Sequence, residues 1–303
     1  MSSSIAPISV ILVPTDFSKG AERALIRALN LPFQRGATLH IVHVMDESLS
    51  EVSRQKAHAA ATVAVKAKLS RAKALAKSLN LKVTINGKVV PGRPFEEIVR
   101  QSRFLGAEII VIGRHGRRPL RDMFIGSTAE RVIKYGDLPV LVVNGLTRRP
   151  YTRPIAAVDF GETTRGTLET MLRVVGPSIT EMNLVHAYHV PFEGLGSPTY
   201  MHGVETISRK QYREQSAKKA KEVLAELPSW GVTWNTKLVY GDSRGQILNA
   251  VKTHQADLIA LSTHARSGLA HMLIGSVAAW VVAAARCDVL VARPIRFTFQ
   301  PLV

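Results

Sequence analysis

Gly113-Arg114-His115-Gly116, nine further residues, and then Gly126-Ser127 form the grouping in this chain best suited to chemistry. Glycine has no Cβ, so backbone N–H groups at Gly113 and Gly116 can approach a bound molecule closely. Gly126-Ser127 stands before a helical pattern. The first amides of a helix have no partner within it, and the helix dipole favours an anion there. The intervening stretch holds Arg117, Arg118 and Arg121, whose guanidinium groups suit phosphate oxygens. These types at this spacing point to phosphate binding. The same glycines would also serve as plain turn residues, and spacing alone leaves that alternative open. A reaction would need a general base and a water-positioning group. His115 and Asp122 are the nearest candidates for the first, and nothing evident fills the second. There is no Walker A sequence, and no Gly-x-Gly-x-x-Gly follows the first strand pattern.

The elements that must position this motif occur twice. Ile11-Leu12-Val13-Pro14-Thr15-Asp16-Phe17 recurs as Pro154 to Phe160, and Leu39 to Val44 recurs as Met182 to Ala187, both 143 residues on. Ala107 to Ile112 recurs as Ala256 to Leu261, and Ile125-Gly126-Ser127 as Ile274-Gly275-Ser276, both 149 residues on. Two homologous domains follow, 1–147 and 152–303, with Thr147-Arg148-Arg149-Pro150 at the joint. In the first copy, apolar runs rich in Val and Ile at 8–15, 38–45, 81–89, 107–112 and 139–143 suit strands buried on both faces. Helices are expected from the N-cap Ser18 to about Leu29, over 50–79, over 95–105 behind Pro94, and over 127–135. This βα alternation predicts α/β architecture: two tandem doubly wound five-stranded parallel sheets, with ligands at the carboxyl ends of the strands.

Composition narrows the classes. The chain has 303 residues, 46% hydrophobic and 21% charged, which suits a soluble globular protein. The uncharged run from Met272 to Ala285 is too short to cross a membrane. The N-terminal sequence lacks the marks of a secretory signal, so a cytoplasmic location is expected. Cys287, the single cysteine, excludes an internal disulfide and multi-cysteine metal sites. The net charge is +17, of which residues 1–150 carry +13. Such a balance fits phosphorylated small molecules, nucleic acid or anionic lipid, or simply a solvated cationic surface.

The chain resembles the universal stress protein family in both halves. The resemblance rests on Val13, Pro14, Asp16 and Ser18 at the first strand end, His43-Val44 ending the second strand, and Gly92 after the third. Above all it rests on G-x2-G-x9-G-[S/T] at Gly113, Gly116, Gly126 and Ser127, the motif of that family's ATP-binding branch. It implies a Rossmann-like, adenine nucleotide alpha hydrolase-like fold and ATP as ligand, with magnesium held by the phosphates. Asp16 would face the adenosine, over a floor shaped by Pro14 and Thr15, and Val44 would offer backbone groups to the adenine edge. Gly113 would approach the ribose and α-phosphate, with Arg114 and His115 beside it in the motif. Gly116, Gly126 and Ser127 would cradle the phosphates, and Thr128 would add its amide. For Asp16 a helix N-cap is the competing role; for His43 it is a packed core residue. The second copy departs from the pattern: Ser262-Thr263-His264-Ala265 replaces Gly113-Arg114-His115-Gly116, and Ala157 and Ala187 replace Pro14 and Val44, while Asp159, Gly241, Gly275 and Ser276 are kept. A weakened or repurposed second site is therefore expected, with 189–203 as a loop or lid.

The leading expectation is a stress-response regulatory protein that binds an adenine nucleotide in its first domain and alters its own conformation or its protein partners. A slow ATPase or phosphate-transfer enzyme is the alternative. Nucleic-acid binding comes third, because the bases are spread along the chain without interleaved aromatics. No membrane partner is expected. The family's usual pairing through fifth strands, near 140–142 and 289–291, implies an internal pseudo-dimer, and association of two chains stays open.

Overall fold

The computed structural model describes residues 6–45, 51–115, 125–145, 148–189, 209–228, 231–262 and 274–293. The first half runs β1 (Ile8–Pro14), α1 (Lys19–Ala28), β2 (Phe33–Met45), α2 (Glu51–Ser78), β3 (Thr84–Pro91), α3 (Pro94–Phe104), β4 (Ile109–Gly113), α4 (Ser127–Tyr135) and β5 (Val140–Val143). The second half repeats the order as β6 (Pro154–Ala157), α5 (Thr164–Val175), β7 (Glu181–Tyr188), α6 (Arg209–Ala225), β8 (Thr233–Tyr240), α7 (Ser243–Thr253), β9 (Leu258–Ser262), α8 (Ser276–Ala284) and β10 (Asp288–Ala292).

All ten strands join one sheet in the order β3-β2-β1-β4-β5-β10-β9-β6-β7-β8. The order is the same from either end, as a pseudo-twofold between the halves requires. Every pairing is parallel except the central one, where β5 and β10 run antiparallel with Leu141 opposite Leu290. The inner strands are apolar on both sides because helices cover both faces. One apolar layer gathers residues of α1, α2 and α5, with Val223 and Leu224 of α6 packed against it. The other gathers residues of α3, α4, α7 and α8.

Two boundaries differ from the pattern-based expectation by three residues or more, the others by one or two. β2 starts at Phe33 rather than 38, because Ile8 pairs with Phe33 while Val10 pairs with Thr38. The extra residues bulge at Gly36 (φ 82), whose N–H donates to the Lys82 carbonyl at 3.3 Å. β3 starts at Thr84 rather than 81. Asn80 ends α2 in the left-handed region (φ 53), and the Leu81 N–H returns to the Ala76 carbonyl at 2.9 Å, so Leu81 belongs to the helix terminus.

The seam between the halves holds a buried polar cluster. Asp288 accepts from Arg27 Nε at 2.9 Å, Tyr151 Oη at 2.8 Å, and the N–H groups of Asn144 at 2.9 Å and Gly145 at 3.3 Å. The Arg27 guanidinium lies 4.1 Å above the Tyr151 ring and donates to the Arg149 carbonyl at 2.8 Å. The Arg27 and Asp288 side chains are only 2% and 3% exposed, so each charge depends on the other for solvation. Burial, and after it the nearby Asp288, pushes the Tyr151 phenol well above its usual pKa. The position matching Asp288 in the first half is Pro139, so this cluster has no symmetry mate.

Candidate functional site

The carboxyl ends of β1 and β4 and the start of α4 converge on a cavity of about 610 Å³ in the first half. Its floor follows from the turn after β1. The Thr15 N–H donates to the Val42 carbonyl at 2.8 Å, which extends the β1–β2 ladder one step past the strand. Phe17 then takes a left-handed conformation (φ 63), strained for an aromatic residue. Three contacts hold it: its N–H donates to Thr15 Oγ1 at 3.1 Å, the Ser18 N–H donates to Asp16 Oδ1 at 3.0 Å, and its ring packs on His43 at 4.4 Å. His43 Nδ1 sits 2.7 Å from the Thr15 carbonyl. His43 is thus a structural residue, matched by His186 on Val158 and Phe160 in the second half. Burial is the main cause of a lowered His186 pKa.

Ser18, not Asp16, caps α1, accepting from the Ala21 N–H at 3.1 Å. The Asp16 carboxylate stays at the cavity wall. Nearby, Lys68 of α2 pairs with Glu22, and its ammonium pKa is lowered by burial first and by Arg71, against the pull of Asp16.

Gly113 has a reason besides the one the sequence suggested. A Cβ there would lie 2.5 Å from the Gly20 backbone, and a Cβ on Gly20 would lie 2.0 Å from the His115 carbonyl. The glycines let the first turn of α1 touch the end of β4. In the second half Ser262 replaces Gly113, Thr163 matches Gly20, and α5 begins only at Thr164. The helix therefore starts two residues later than α1 does, behind a turn in which the Thr164 N–H donates to the Gly161 carbonyl at 3.0 Å.

α4 starts at Gly126 (φ −61, ψ 138), where no side chain caps the helix. The Gly126 N–H donates to the Arg114 carbonyl at 2.8 Å, which leaves the amides of Ser127, Thr128 and Ala129 as first-turn donors at the cavity.

Nine of the candidate residues line this one cavity: Pro14, Thr15, Asp16, Val44, Gly113, His115, Gly126, Ser127 and Thr128. Arg114 does not. Its buried guanidinium crosses to the second half and donates to the carbonyls of Ala285, at 3.1 Å, and Ala283, at the C-terminal end of α8. A guanidinium there suits the negative end of the helix dipole. Only the Arg114 backbone remains beside the site, which corrects its expected place among the binding side chains. Gly116, Arg117, Arg118, Arg121 and Asp122 lie outside the described residues, as do Thr263, His264, Ala265 and most of 189–203.

The motif also omitted an apolar wall. Pro94 and Ile98, one turn apart on α3, line the cavity with Ile112 and Val42. The i, i+4 spacing behind Gly92 was its only signal. Glu130 of α4 lies at the rim. The corresponding cleft of the second half measures about 130 Å³ and is lined by Asp159, Ala187, Ser262, Gly275 and Ser276 among others. Among the described residues no cluster of His, Cys, Asp and Glu could hold a metal ion, and no helix is long and apolar enough to cross a membrane.

A model of the universal stress protein family matches residues 7–144 and again 150–293. A universal stress protein of Methanocaldococcus jannaschii is 31% identical over 153 residues, 44% of this chain and 93% of the relative. One of Mycobacterium bovis is 24% identical over 228 residues, 70% of each chain. Among solved structures, a universal stress protein from Archaeoglobus fulgidus matches with a TM-score of 0.71 at 17% identity, covering 94% of this chain and 98% of that one, a likeness of fold.

Proposed function

The chain belongs to the universal stress protein family, and from that premise we propose that it is a cytoplasmic stress-response regulator that binds ATP in its first half. One observation carries the proposal. A single cavity joins an apolar wall (Val42, Ile98, Ile112), the Asp16 carboxylate, and the first-turn amides of α4. These are the groups that a base, a ribose and a phosphate chain need, in that order. Magnesium would travel on the phosphates. The second half, with its smaller cleft and Ser262, would bind ATP much less well. Domain limits at 1–147 and 152–303 belong to the same proposal, as does the role of Arg117, Arg118 and Arg121 in reading phosphate number.

Ser127→Pro tests it. Proline is well tolerated at the first helical position, and the backbone of Gly126 already has the extended shape that a following proline demands. The substitution removes one amide donor and the Ser127 hydroxyl from the phosphate end. A hydrogen bond to a charged group contributes about 1.5–3 kcal/mol, so ATP affinity by calorimetry should fall roughly 10- to 150-fold with an unchanged melting temperature. Equal ATP affinity in variant and parent would refute the assignment. Hydrolysis is the weaker alternative: among the described residues His115 is the one candidate base from the motif at the cavity, and its partner on a water is not evident.

A further inference from the structure

Dispersal along the sequence was the ground for setting nucleic acid aside, and folding removes it. Between Val52 and Phe95 the chain holds ten Lys and Arg and no Asp or Glu. Most of that stretch is α2, a 28-residue helix about 42 Å long at 1.5 Å per residue. Arg54, Lys56, Lys66, Arg71, Lys73 and Lys77 are all exposed on it. The imbalance extends to the whole sheet face. The four helices of that face (α1, α2, α5 and α6) hold 18 Lys and Arg against 5 Asp and Glu, whereas the four on the other face hold 6 against 3.

We propose that the α2 face is a docking surface for the phosphate backbone of duplex nucleic acid, read without base specificity. Charge complementarity selects a polyanion, because a helix of this length with seven Lys and Arg against one acid, its first residue Glu51, carries a strong positive excess. The exposed side of α2 selects nucleic acid over lipid. A helix that lies in a membrane interface needs a stripe of large apolar side chains opposite its charges. Here the exposed large apolar residues of α2 are Val52 and Val63, 66% and 68% exposed, with polar residues and alanines between them. The lack of exposed aromatic residues on α2 excludes base stacking and leaves counterion release as the source of affinity. None of the six exposed bases lines the nucleotide cavity, so this surface does not depend on it.

The test uses the full chain and a fluorescein-labelled 30-base-pair DNA duplex of mixed sequence, titrated by anisotropy from 50 to 200 mM KCl. Each phosphate neutralised steepens the plot of log affinity against log salt by about 0.9. Engagement of four or five of the six exposed bases therefore gives a slope near −4, with a dissociation constant on the order of 1 µM at 50 mM salt. Lys66→Gln/Arg71→Gln/Lys73→Gln/Lys77→Gln should weaken binding at least tenfold and flatten the slope by about 3. Gln matches Lys closely in helix propensity, so the helix should persist, as circular dichroism would verify. Arg93→Gln/Arg131→Gln/Arg244→Gln/Lys252→Gln removes the same charge from the opposite face and should cost less than threefold. Equal losses in the two variants would overturn the proposal in favour of net charge alone. So would a slope shallower than −2, or binding to phosphatidylglycerol vesicles in the absence of binding to the duplex.

Discussion

Gly113→Ala separates two reasons for a glycine at the heart of the motif. If Gly113 served a ligand, an added methyl would intrude on the cavity and leave the apoprotein sound. The geometry gives the opposite direction: the new Cβ would meet the carbonyl carbon and oxygen of Gly20 at 2.5 Å and the Ala21 nitrogen at 3.0 Å. Ordinary carbon contacts begin near 3.5 Å, so the first turn of α1 must retreat by about 1 Å. That turn is pinned by Ser18 capping Ala21 and by the packing of Ala24, Leu25 and Ala28 in the core. Overpacking of this kind costs about 1–3 kcal/mol. For units of roughly 150 residues, 1 kcal/mol corresponds to a shift of about 2–4 °C. The melting temperature of the free protein should therefore drop by about 2–12 °C in a calorimetric scan. ATP affinity, measured well below the transition, should change by a smaller factor than in Ser127→Pro. An unchanged melting temperature with affinity lost tenfold or more would refute the reasoning and return Gly113 to the ligand.

Asp288→Ala should destabilise the chain by about 3–5 kcal/mol, because Arg27 keeps a buried charge without its partner, and Arg27→Met/Asp288→Leu should recover much of that loss in urea unfolding. Stability should also decline on acidification. The folded pKa of His186 is depressed, mainly by burial, below its unfolded value of 6.5, and His40 and His254 are shifted the same way. The unfolded chain then takes up protons more readily, so the contribution is complete above about pH 6.5 and is lost as pH falls through that value. Urea midpoints at pH 7.5, 6.0 and 5.0 should fall in order, and less steeply in His186→Gln. Replacing Arg117, Arg118 and Arg121 together with Gln should lower ATP affinity while AMP affinity holds; equal affinities for both ligands before and after would make the three a solvated surface.

Local signals were the legible ones. The repeat set out both halves, and Ser18, Pro94 and Gly126 marked helix starts through capping and backbone preferences that depend on a few neighbouring residues. Asp16 and Ser127 reached one cavity because the ends of neighbouring strands meet there in any doubly wound sheet. What escaped depended on distant partners. The start of β2 is fixed by Ile8 and Lys82 across the sheet rather than by the turn-like Gln34-Arg35-Gly36. Arg114 stood among the candidate binding residues through its motif, yet its guanidinium donates to carbonyls about 170 residues away. The Asp288 cluster was invisible for the same reason: its donors come from α1, the linker and the end of β5.

The one-sidedness of that cluster has an evolutionary consequence. In a dimer of identical chains every substitution appears twice, once on each side of the axis. An aspartate at the start of the fifth strand would then recur at the opposite end of the antiparallel pairing, and each copy would need its own arginine and tyrosine. Joining the two copies in one chain lifts that constraint. Here Asp288 on one strand is served by a linker tyrosine that exists once, while Pro139 occupies the mirrored place. Covalent fusion makes every position of the second copy independently variable, and the retention of Gly113 in one half against Ser262 in the other is the same freedom expressed at the ligand cleft.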